Sequence, residues 1–379
     1  MPWGDPGVAE LQMVLENANV IPSAAGGNQT TVFQRAGFLR KLRCNLYYEV
    51  DQSAATGAPS KSAKGPLGST INNITLQANG MTPLIQVSGV MAMMYNETQH
   101  YAGASDGDSD SSALCYSSYV ADSNISAATL LEVYTAAGTG AQTYIIKYPF
   151  EFEMAIPLVL RGQPVEWGLW LLQNQTVDLT WTIGWNIGYA ASATPDSPYS
   201  GGAGVTAPVN TGTTQLTTER ELYTVPAPAG QDGKANYPDI NWAHQIIEYT
   251  QPIVSNFARF DVPKAGLLLK ALVYAENSSG APQDISDIKS LNWIYGANAN
   301  PINRSGLMYI NDYLYARGYY PPAGLAVLDF YAKGWFGLKL ARDTQSLANL
   351  RLEATFATLS TGKLRIVLDR MVPISRMVG

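Results

Sequence analysis

The sequence predicts an all-β protein made of two similar halves. Three observations support this: apolar and polar residues alternate in several segments, turn formers are abundant, and the two halves echo each other. The chain has 379 residues, including 34 Gly and 22 Pro, so turns must be frequent. Hydrophobic residues make up 46%, enough for a sizeable core, whereas charged residues are only 14%. Such low charge favours surfaces that mostly face other protein.

The N-terminal region predicts a short helix on a separate arm. Pro22 follows residues 8–21, whose apolar side chains recur at helical spacing. These side chains are Leu11, Val14, Leu15 and Ala18. Small residues at 23–28 would form a tether, so residues 1–29 are expected to be an arm. A helix packed on the neighbouring domain is the open alternative. The first residues carry no basic region, and no secretory signal is expected.

Strict alternation predicts half-buried strands, because side chains in a strand have a period of two. In the clearest segment, Leu42, Cys44 and Leu46 alternate with Arg43 and Asn45. The same pattern recurs over residues 150–156, 179–185, 350–356 and 363–368. Thr361-Gly362, between the last two segments, predicts a hairpin turn. Half-buried strands with turn-rich joints are typical of antiparallel sandwiches.

Two helical segments stand beside these strands. Leu307, Ile310 and Leu314 lie at helical spacing, and the helix is expected to close at Gly318, before Pro321-Pro322. Residues 84–94 fit a helix that starts after Thr82-Pro83 and equally fit a strand, so the pattern leaves both open.

The two halves contain similar sequence segments, which indicates duplication. Gly37-Phe38-Leu39-Arg40-Lys41-Leu42 opens one strand, and Gly266-Leu267-Leu268-Leu269-Lys270-Ala271-Leu272 opens another. Likewise, Gly168 and Gly337 each begin a segment that leads into a predicted strand. A repeat of well over a hundred residues indicates a duplicated β-domain. We expect sandwiches at residues 30–189 and 216–379, joined by a linker or exposed loop at 190–215.

The order of these elements resembles the double-jelly-roll major capsid proteins of tailless icosahedral, tectivirus-like bacteriophages. In that family a glycine opens the first strand, as in Gly37–Val50, and an aromatic-rich strand reaches a Pro-Leu step, as in Tyr144–Leu158. A Pro-x-Gly strand and a Leu-rich strand follow near the C-terminus, as in Pro322–Phe330 and Ser346–Phe356. The resemblance covers nearly the whole chain. It favours the strand interpretation of residues 84–94.

The resemblance implies two tandem eight-stranded jelly rolls and a homotrimer that acts as a pseudo-hexameric capsomer. Such capsomers tile the icosahedral shell of a virion, assembled in the host cytoplasm, around an internal membrane and double-stranded DNA. The expected partners are neighbouring capsomers, vertex or minor capsid proteins and, through the N-terminal arm, the membrane. Residues 51–69 and 190–215 are expected to be exposed outer loops. Sequence-specific nucleic-acid binding is not expected, since the net charge is −6.

The sequence offers little catalytic or metal-binding chemistry, and we expect no catalytic residues, cofactor or metal. The two histidines, His100 and His244, lie in different halves without a supporting motif. Glu151 and Glu153 could form a glycosidase pair, but carboxylates alternating with Phe are more typical of a solvated or intersubunit face. The sequence contains no phosphate-binding glycine loop.

Two smaller features of the sequence concern ion binding and redox chemistry. Asp106, Asp108 and Asp110 resemble the start of a calcium loop, but Ser111 and Ser117 replace its essential Gly and Glu. They are therefore only a weak candidate cation loop. The cysteines, Cys44 and Cys115, are expected to be reduced thiols.

Two other functions stay open at this stage. The first is a viral vertex or receptor-binding protein, which would also be β-rich but is often less duplicated. The second is a β-sandwich that binds or hydrolyses carbohydrate, which the absence of a secretion signal makes less attractive.

Overall fold

A computed structural model of the chain provides the description that follows. It describes residues 11–20, 27–52, 60–61, 65–78, 81–99, 131–135, 142–160, 163–168, 170–171, 178–186, 199–200, 209–210, 215–224, 241–295, 302–317, 321, 324–329, 342–344 and 349–377.

The described residues of the first half form fifteen strands. They are β1 (Leu11–Val20), β2 (Asn28–Val32), β3 (Phe38–Gln52), β4 (Ser60–Lys61), β5 (Ile71–Ala78), β6 (Ile85–Val87), β7 (Leu131–Thr135), β8 (Gln142–Glu153), β9 (Ile156–Leu160), β10 (Gln163–Trp167), β11 (Trp170–Leu171), β12 (Leu179–Trp185), β13 (Tyr199–Ser200), β14 (Val209–Asn210) and β15 (Gln215–Tyr223). One sheet has the order β1-β15-β3-β8-β7, and the facing sheet begins β2-β12-β5-β6. We call this pair of sheets the first sandwich.

In the second half, nine strands lie within the part that the structure describes. They are β16 (Trp242–Val254), β17 (Phe257–Asp261), β18 (Leu267–Asn277), β19 (Ile288–Tyr295), β20 (Ile302–Arg304), β21 (Leu325–Asp329), β22 (Arg342–Asp343), β23 (Leu350–Phe356) and β24 (Thr361–Pro373). The pairings give one layer with the order β16-β24-β18-β21 and another with the order β17-β23-β19-β20. We call these two layers the second sandwich.

Both sandwiches repeat one connectivity. Taken in chain order, their eight principal strands occupy the same places in the two layers, so β1 corresponds to β16, β3 to β18 and β15 to β24. The remaining pairs are β2 with β17, β5 with β19, β6 with β20, β8 with β21 and β12 with β23. The duplication predicted from the sequence is therefore present in the strand order itself.

The glycines that open the two similar segments have an equivalent backbone conformation in both halves. Gly37 and Gly266 have φ of +63° and +105°, and a Cβ there would lie 2.4 Å from the Tyr223 carbonyl oxygen and 2.1 Å from the Met371 carbonyl oxygen. A left-handed residue pressed against a neighbouring strand favours glycine.

A shared β-bulge extends the equivalence to single residues. Within the three residues after each glycine, the pairing skips one residue, Arg40 in β3 and Leu269 in β18. Lys41 then pairs with Glu221, and Lys270 pairs with Asp369. Lys41 is thus the equivalent of Lys270, and Glu221 the equivalent of Asp369.

The helix predicted over residues 8–21 is wrong. Residues 11–20 form β1, which pairs antiparallel with β15 from Leu11 opposite Tyr223 to Val20 opposite Leu216. The long-range partner supplies backbone hydrogen bonds that a short isolated helix cannot match, because short helices are marginal in water. The expected arm thus contains a strand of the first sandwich, whereas residues 1–10 lie outside the described part.

Two further expectations differ from the structure. Residues 215–223 form β15, which pairs with β3, so a segment assigned to the second half belongs to the first sandwich. The chain between β12 and β15, which includes 190–215, therefore connects two strands of one sandwich. The hairpin turn at Thr361-Gly362 is also wrong: these residues begin β24 and pair with β16, while β23 pairs with β17 and β19.

Among the residues with described structure, three α-helices accompany the strands: α1 (Gly65–Thr70), α2 (Gly89–Gln99) and α3 (Gly306–Arg317). The helix predicted from Leu307 to Leu314 is confirmed as α3, and Gly318 lies outside the described residues. The ambiguous segment 84–94 contains both elements, since β6 precedes α2 and the Ser88 hydroxyl accepts a hydrogen bond from Met91 N over 3.3 Å. In the described ranges, no helix is long and apolar enough to cross a membrane.

The strands predicted from alternation are confirmed. In β23, and in β12 as far as Ile183, buried and half-buried residues alternate along the chain. Leu42, Cys44 and Leu46 of β3 are buried, while Arg43 and Asn45 are exposed. Each sandwich encloses its own apolar cluster, but the first cluster also includes Leu272 and Val367 of the second sandwich. The two cores therefore meet across the boundary between the sandwiches.

In each sandwich, several connections between strands meet at one end. In the second sandwich, Phe356 N donates to Asn256 O and Ala357 N donates to Asp287 O, which joins three connections. In the first, Trp185 N donates to Gly27 O and Asn186 N to Thr70 O. Because β6 and β16 both run toward their loop-bearing ends and pair in parallel, the two ends face the same way.

Candidate functional site at the junction of the sandwiches

A backbone contact forms the first part of the junction. Strand β6 pairs antiparallel with β5 on one side and parallel with β16 on the other, with Ile85 opposite Ile246. Ile246 N donates a hydrogen bond to Leu84 O over 2.8 Å. A sheet of the first sandwich therefore continues into the second, and neither edge is left open for unwanted pairing at this point.

Helix α2 covers the outer face of the second sandwich. The Tyr95 hydroxyl donates to Asp369 Oδ2 over 3.2 Å, and Lys270 Nζ donates to Thr98 O over 3.2 Å. Lys270 Nζ also lies 5.5 Å from the centre of the Tyr95 ring, within the range of a cation–π interaction. Apolar packing surrounds these contacts, since Met91 of α2 belongs to the same buried cluster as Leu272.

His244 joins the two sandwiches with both ring nitrogens. Its Nδ1 lies 2.5 Å from Glu153 O of β8, and its Nε2 lies 2.5 Å from Asp369 Oδ1 of β24. A carbonyl oxygen only accepts, so Nδ1 donates to it. Burial raises the pKa of Asp369, but the charge and hydrogen bond of His244 and the charge of Lys270 outweigh it, and the pKa lies below its usual value. This histidine therefore has a structural role.

A second buried charge cluster holds the start of α2. Ser88 N donates to Glu248 Oε2 over 2.5 Å, and Arg365 Nη1 donates to Glu248 Oε1 over 2.8 Å. Arg365 also forms two hydrogen bonds with Glu276. Burial lowers the pKa of Arg365, yet the two carboxylates raise it above its usual value overall. Breaking such a pair leaves a buried charge unpaired, which typically costs about 3–5 kcal/mol.

The two carboxylates considered for catalysis share one ion-pair partner. Glu151 Oε1 and Glu153 Oε1 lie 2.9 Å and 2.6 Å from Lys41 Nζ, so both carboxylates are engaged in ion pairs. His100 lies outside the described residues. Within the described ranges, no group of three His, Cys, Asp or Glu side chains could hold a metal ion. The candidate cation loop at Asp106, Asp108 and Asp110 also lies outside them and stays a prediction.

Cys44 is a free, buried thiol on the core face of β3. Burial raises its pKa to about 12, although a hydrogen bond with Thr218 acts in the opposite direction. A thiol with this pKa carries almost no thiolate near neutral pH and is chemically inert. Cys115 lies outside the described residues.

Sequence reasoning missed the junction, although the sequence contains a signal for it. Ser88-Gly89-Val90-Met91 begins α2 and Ser305-Gly306-Leu307-Met308 begins α3, so one motif starts the equivalent helix of each half. A second signal is the lysine that follows each of Gly37 and Gly266 by four residues, Lys41 and Lys270. The parallel pairing of β6 with β16 has no local signal, because it depends on a two-residue contact across the fold.

Eight-stranded sandwiches with this strand order are jelly rolls, and the chain has a double-jelly-roll fold. No protein-family model matches the sequence, and no curated protein matches it significantly. Solved structures do match.

The chain is similar to the STIV MCP, with a TM-score of 0.62, 16% identity, and coverage of 96% of this chain and 97% of the other. It is also similar to the PBCV-1 virus capsid, with a TM-score of 0.58, 11% identity, and coverage of 97% and 95%. For the major capsid protein P2 from bacteriophage PM2, the TM-score is 0.53 and the identity 10%, with coverage of 97% and 99%. These neighbours are double-jelly-roll major capsid proteins.

Proposed function

We propose that this protein is a major capsid protein, located in the shell of an icosahedral virion, with no enzymatic activity. The observation that carries the proposal is the shared fold: proteins of this kind match 96–97% of the chain, and almost all of their own length is matched in return. Glu151 and Glu153 share one ion-pair partner, Lys41, which favours a structural role for these carboxylates over the hydrolytic alternative.

The proposed building block is a homotrimer. Three chains supply six jelly rolls of one connectivity, and six similar units can form a pseudo-hexameric capsomer. The low charge of the sequence supports this, since subunit interfaces are depleted of charged residues at their cores. Neighbouring capsomers and vertex or minor capsid proteins would then be its partners.

The finer proposals concern what lies inside the shell and where the domains divide. An internal membrane around double-stranded DNA follows from the family resemblance, but a membrane-binding helix at residues 8–21 is no longer part of the proposal. The pairings favour a first domain that ends at Tyr223 and a second that begins at Trp242.

The parts of the long connections of the first sandwich that carry β4, β13 and β14 are proposed to face the exterior. The expectation that all of residues 51–69 form an exposed loop is wrong, because residues 65–69 lie in α1, whose Leu67 is completely buried in the core. β4 lies in the 51–69 connection and pairs with β13 of the 190–215 connection, with Lys61 opposite Tyr199. β14 of the second connection pairs with the end of β3. Loops at one end of a scaffold tolerate change better than the sandwich does, which suits an outer surface.

Native mass spectrometry of the purified protein tests the proposal, followed by electron microscopy of concentrated samples. We expect a species of three chains at micromolar concentration and six-sided particles in projection. A monomer at every concentration would contradict the capsid proposal and would reopen the vertex-protein and carbohydrate-binding alternatives.

A further inference from the structure

Among the described strands, two have an unpaired edge that is equivalent to one of the two edges joined at the internal junction. β16 contacts both β24 and β6, whereas its equivalent β1 pairs only with β15 among the described strands. β6 contacts both β5 and β16, whereas its equivalent β20 pairs only with β19 in the same part of the chain. Each chain therefore carries, in β1 and β20, a second copy of the two strand edges that meet at its junction.

The equivalence identifies the residues that would meet. Met13 lies opposite Glu221, as Ile246 lies opposite Asp369, so Met13 is the equivalent of Ile246. Ile302 precedes its Ser-Gly motif by three residues, as Ile85 does. Because Ile85 pairs with Ile246, Ile302 of one copy would pair with Met13 of another.

Residues at equivalent positions differ in exposure. Those at the junction are covered by the other sandwich, whereas their equivalents on β1 and α3 have no such cover within the described part of the chain. Ile246 is completely buried, whereas Met13 is 47% exposed. At the start of α2, Val90 and Met91 are buried, whereas Leu307 and Met308 at the start of α3 are 57% and 47% exposed. Gly68 of α1 contributes to the burial of Val90. Even so, three of the six large apolar side chains found exposed in the described part lie on these two surfaces.

Each surface carries an ion pair at the equivalent place. Arg43, two residues after Lys41, is exposed and lies 3.1 Å from Glu221, while its equivalent Leu272 is buried at the junction. Asp312 is ion-paired with Arg304 of β20 and follows Ser305 by seven residues, as Tyr95 follows Ser88. Because Tyr95 contacts Asp369, the equivalent of Glu221, the Arg304–Asp312 pair would lie beside the Arg43–Glu221 pair of a second copy. Each pair contains a cation and an anion, so the two carboxylates would not face each other without a neutralising charge.

We propose that β20 and α3 of one copy bind β1 and the Arg43 side of a second copy, in the arrangement by which β6 and α2 bind the second sandwich within one chain. This inference rests on the proposed function and specifies its subunit contact. The contact joins two different surfaces, so it is heterologous, and it forms a closed ring when the rotation between copies closes.

Disulfide trapping tests the contact in the full-length protein with Cys115→Ser. The variant combining Met13→Cys and Ile302→Cys should form reducible, covalently linked dimers and trimers on mild oxidation, because residues opposite each other on paired strands lie within the range that a disulfide spans. The single variants should not form trimers. The matched control combines Val254→Cys with Ile302→Cys, since Val254 is 62% exposed but lies at the turn between β16 and β17.

The outcomes separate this inference from the proposed function. A trimer by native mass spectrometry that cross-links no better than the control pair overturns the contact and leaves the capsid proposal intact. A monomer at all concentrations overturns both. If the cysteine variant does not fold, Leu307→Asp with Met308→Asp decides: we expect at least tenfold weaker trimer formation, with Val254→Asp unchanged. Equal assembly of the two variants overturns the contact.

Discussion

Tyr95 and Asp369 lie in different jelly rolls and are joined by a hydrogen bond of 3.2 Å from the tyrosine hydroxyl to Oδ2. We expect Tyr95→Phe to lower the free energy of unfolding by about 1 kcal/mol or more, because Asp369 is buried and loses a donor. Urea unfolding measures this. Tyr309→Phe is the control, since Tyr309 donates within the second sandwich, to Leu291 O.

The two tyrosine variants should differ in a second assay. After a protease cuts the connection at residues 225–240, the two jelly rolls should dissociate more readily in Tyr95→Phe than in Tyr309→Phe. Equal dissociation on gel filtration would mean that the Tyr95 contact does not hold the junction.

Asp287 should stabilise the loop-bearing end of the second sandwich in a pH-dependent way. Burial raises its pKa, but hydrogen bonds from the Thr358 side chain, from Leu359 N and Thr358 N, and from Gln283 lower it below the usual 3.8. A lowered pKa stabilises the fold above the ordinary value, and this stabilisation is lost as the pH falls through the lower, folded value. Asp287→Ala should therefore cost about 2–3 kcal/mol at pH 7.

Urea unfolding at pH 7 and at successive values below pH 4 checks this behaviour. The difference between the wild type and Asp287→Ala should shrink as the pH falls. The exposed Asp261 provides the control, and Asp261→Ala should change stability little at any pH. A constant difference for Asp287→Ala across this range would contradict an electrostatic origin.

Gly37→Ala and Gly266→Ala should destabilise their sandwiches to a similar extent. In both, the new Cβ would lie within 2.4 Å of a carbonyl oxygen of the adjacent strand, and φ is positive. The left-handed conformation alone costs an alanine about 1–2 kcal/mol, and the clash adds to it. Thermal unfolding of both variants is the measurement. A clear loss for one and none for the other would show that the two positions are not equivalent.

The Cys44 thiol should report on unfolding of the first sandwich. With a pKa of about 12 and a buried side chain, it should resist iodoacetamide at pH 8 in the native protein and react in urea. Mass spectrometry of the peptide that contains Cys44 follows the modification. Rapid labelling under native conditions would mean that β3 is more accessible than the structure shows.

Deletion of residues 1–20 should impair folding instead of merely removing an arm. It removes β1 and exposes the edge of β15, which lies between β1 and β3. We expect lower soluble yield and a lower melting temperature, whereas deletion of residues 1–8 should have little effect on either. Two truncated proteins that melt alike would restore the arm interpretation.

The sequence predicted strands best where one face is buried, as in β12 and β23. In such strands apolar and polar residues alternate, and consecutive residues are enough to show this period of two. It failed at Leu11–Val20 because these residues fit a helical spacing as well, and the choice depends on β15, about two hundred residues away. The turn expected at Thr361-Gly362 failed for the same reason: adjacency in sequence does not choose the partner of a strand.

The junction could be predicted only in part. The similar segments that begin at Gly37 and Gly266 indicated the duplication, and the two Ser-Gly motifs could have indicated equivalent helices. Nothing local distinguishes Asp369 from an ordinary surface carboxylate, since its neighbours His244 and Tyr95 come from distant strands and helices. Such a cluster can be recognised only after the strands have been placed.

The parallel pairing of Ile85 with Ile246 also determines how this chain could carry foreign sequence. Because it aligns the two jelly rolls in one direction, a peptide epitope inserted directly after β3 and another inserted at Ser279, after β18, would be displayed on the same side of the molecule. Two different epitopes could then be presented together at a fixed separation. Antibodies raised against each should compete or bind jointly according to their size, which makes the chain a scaffold for paired antigen display.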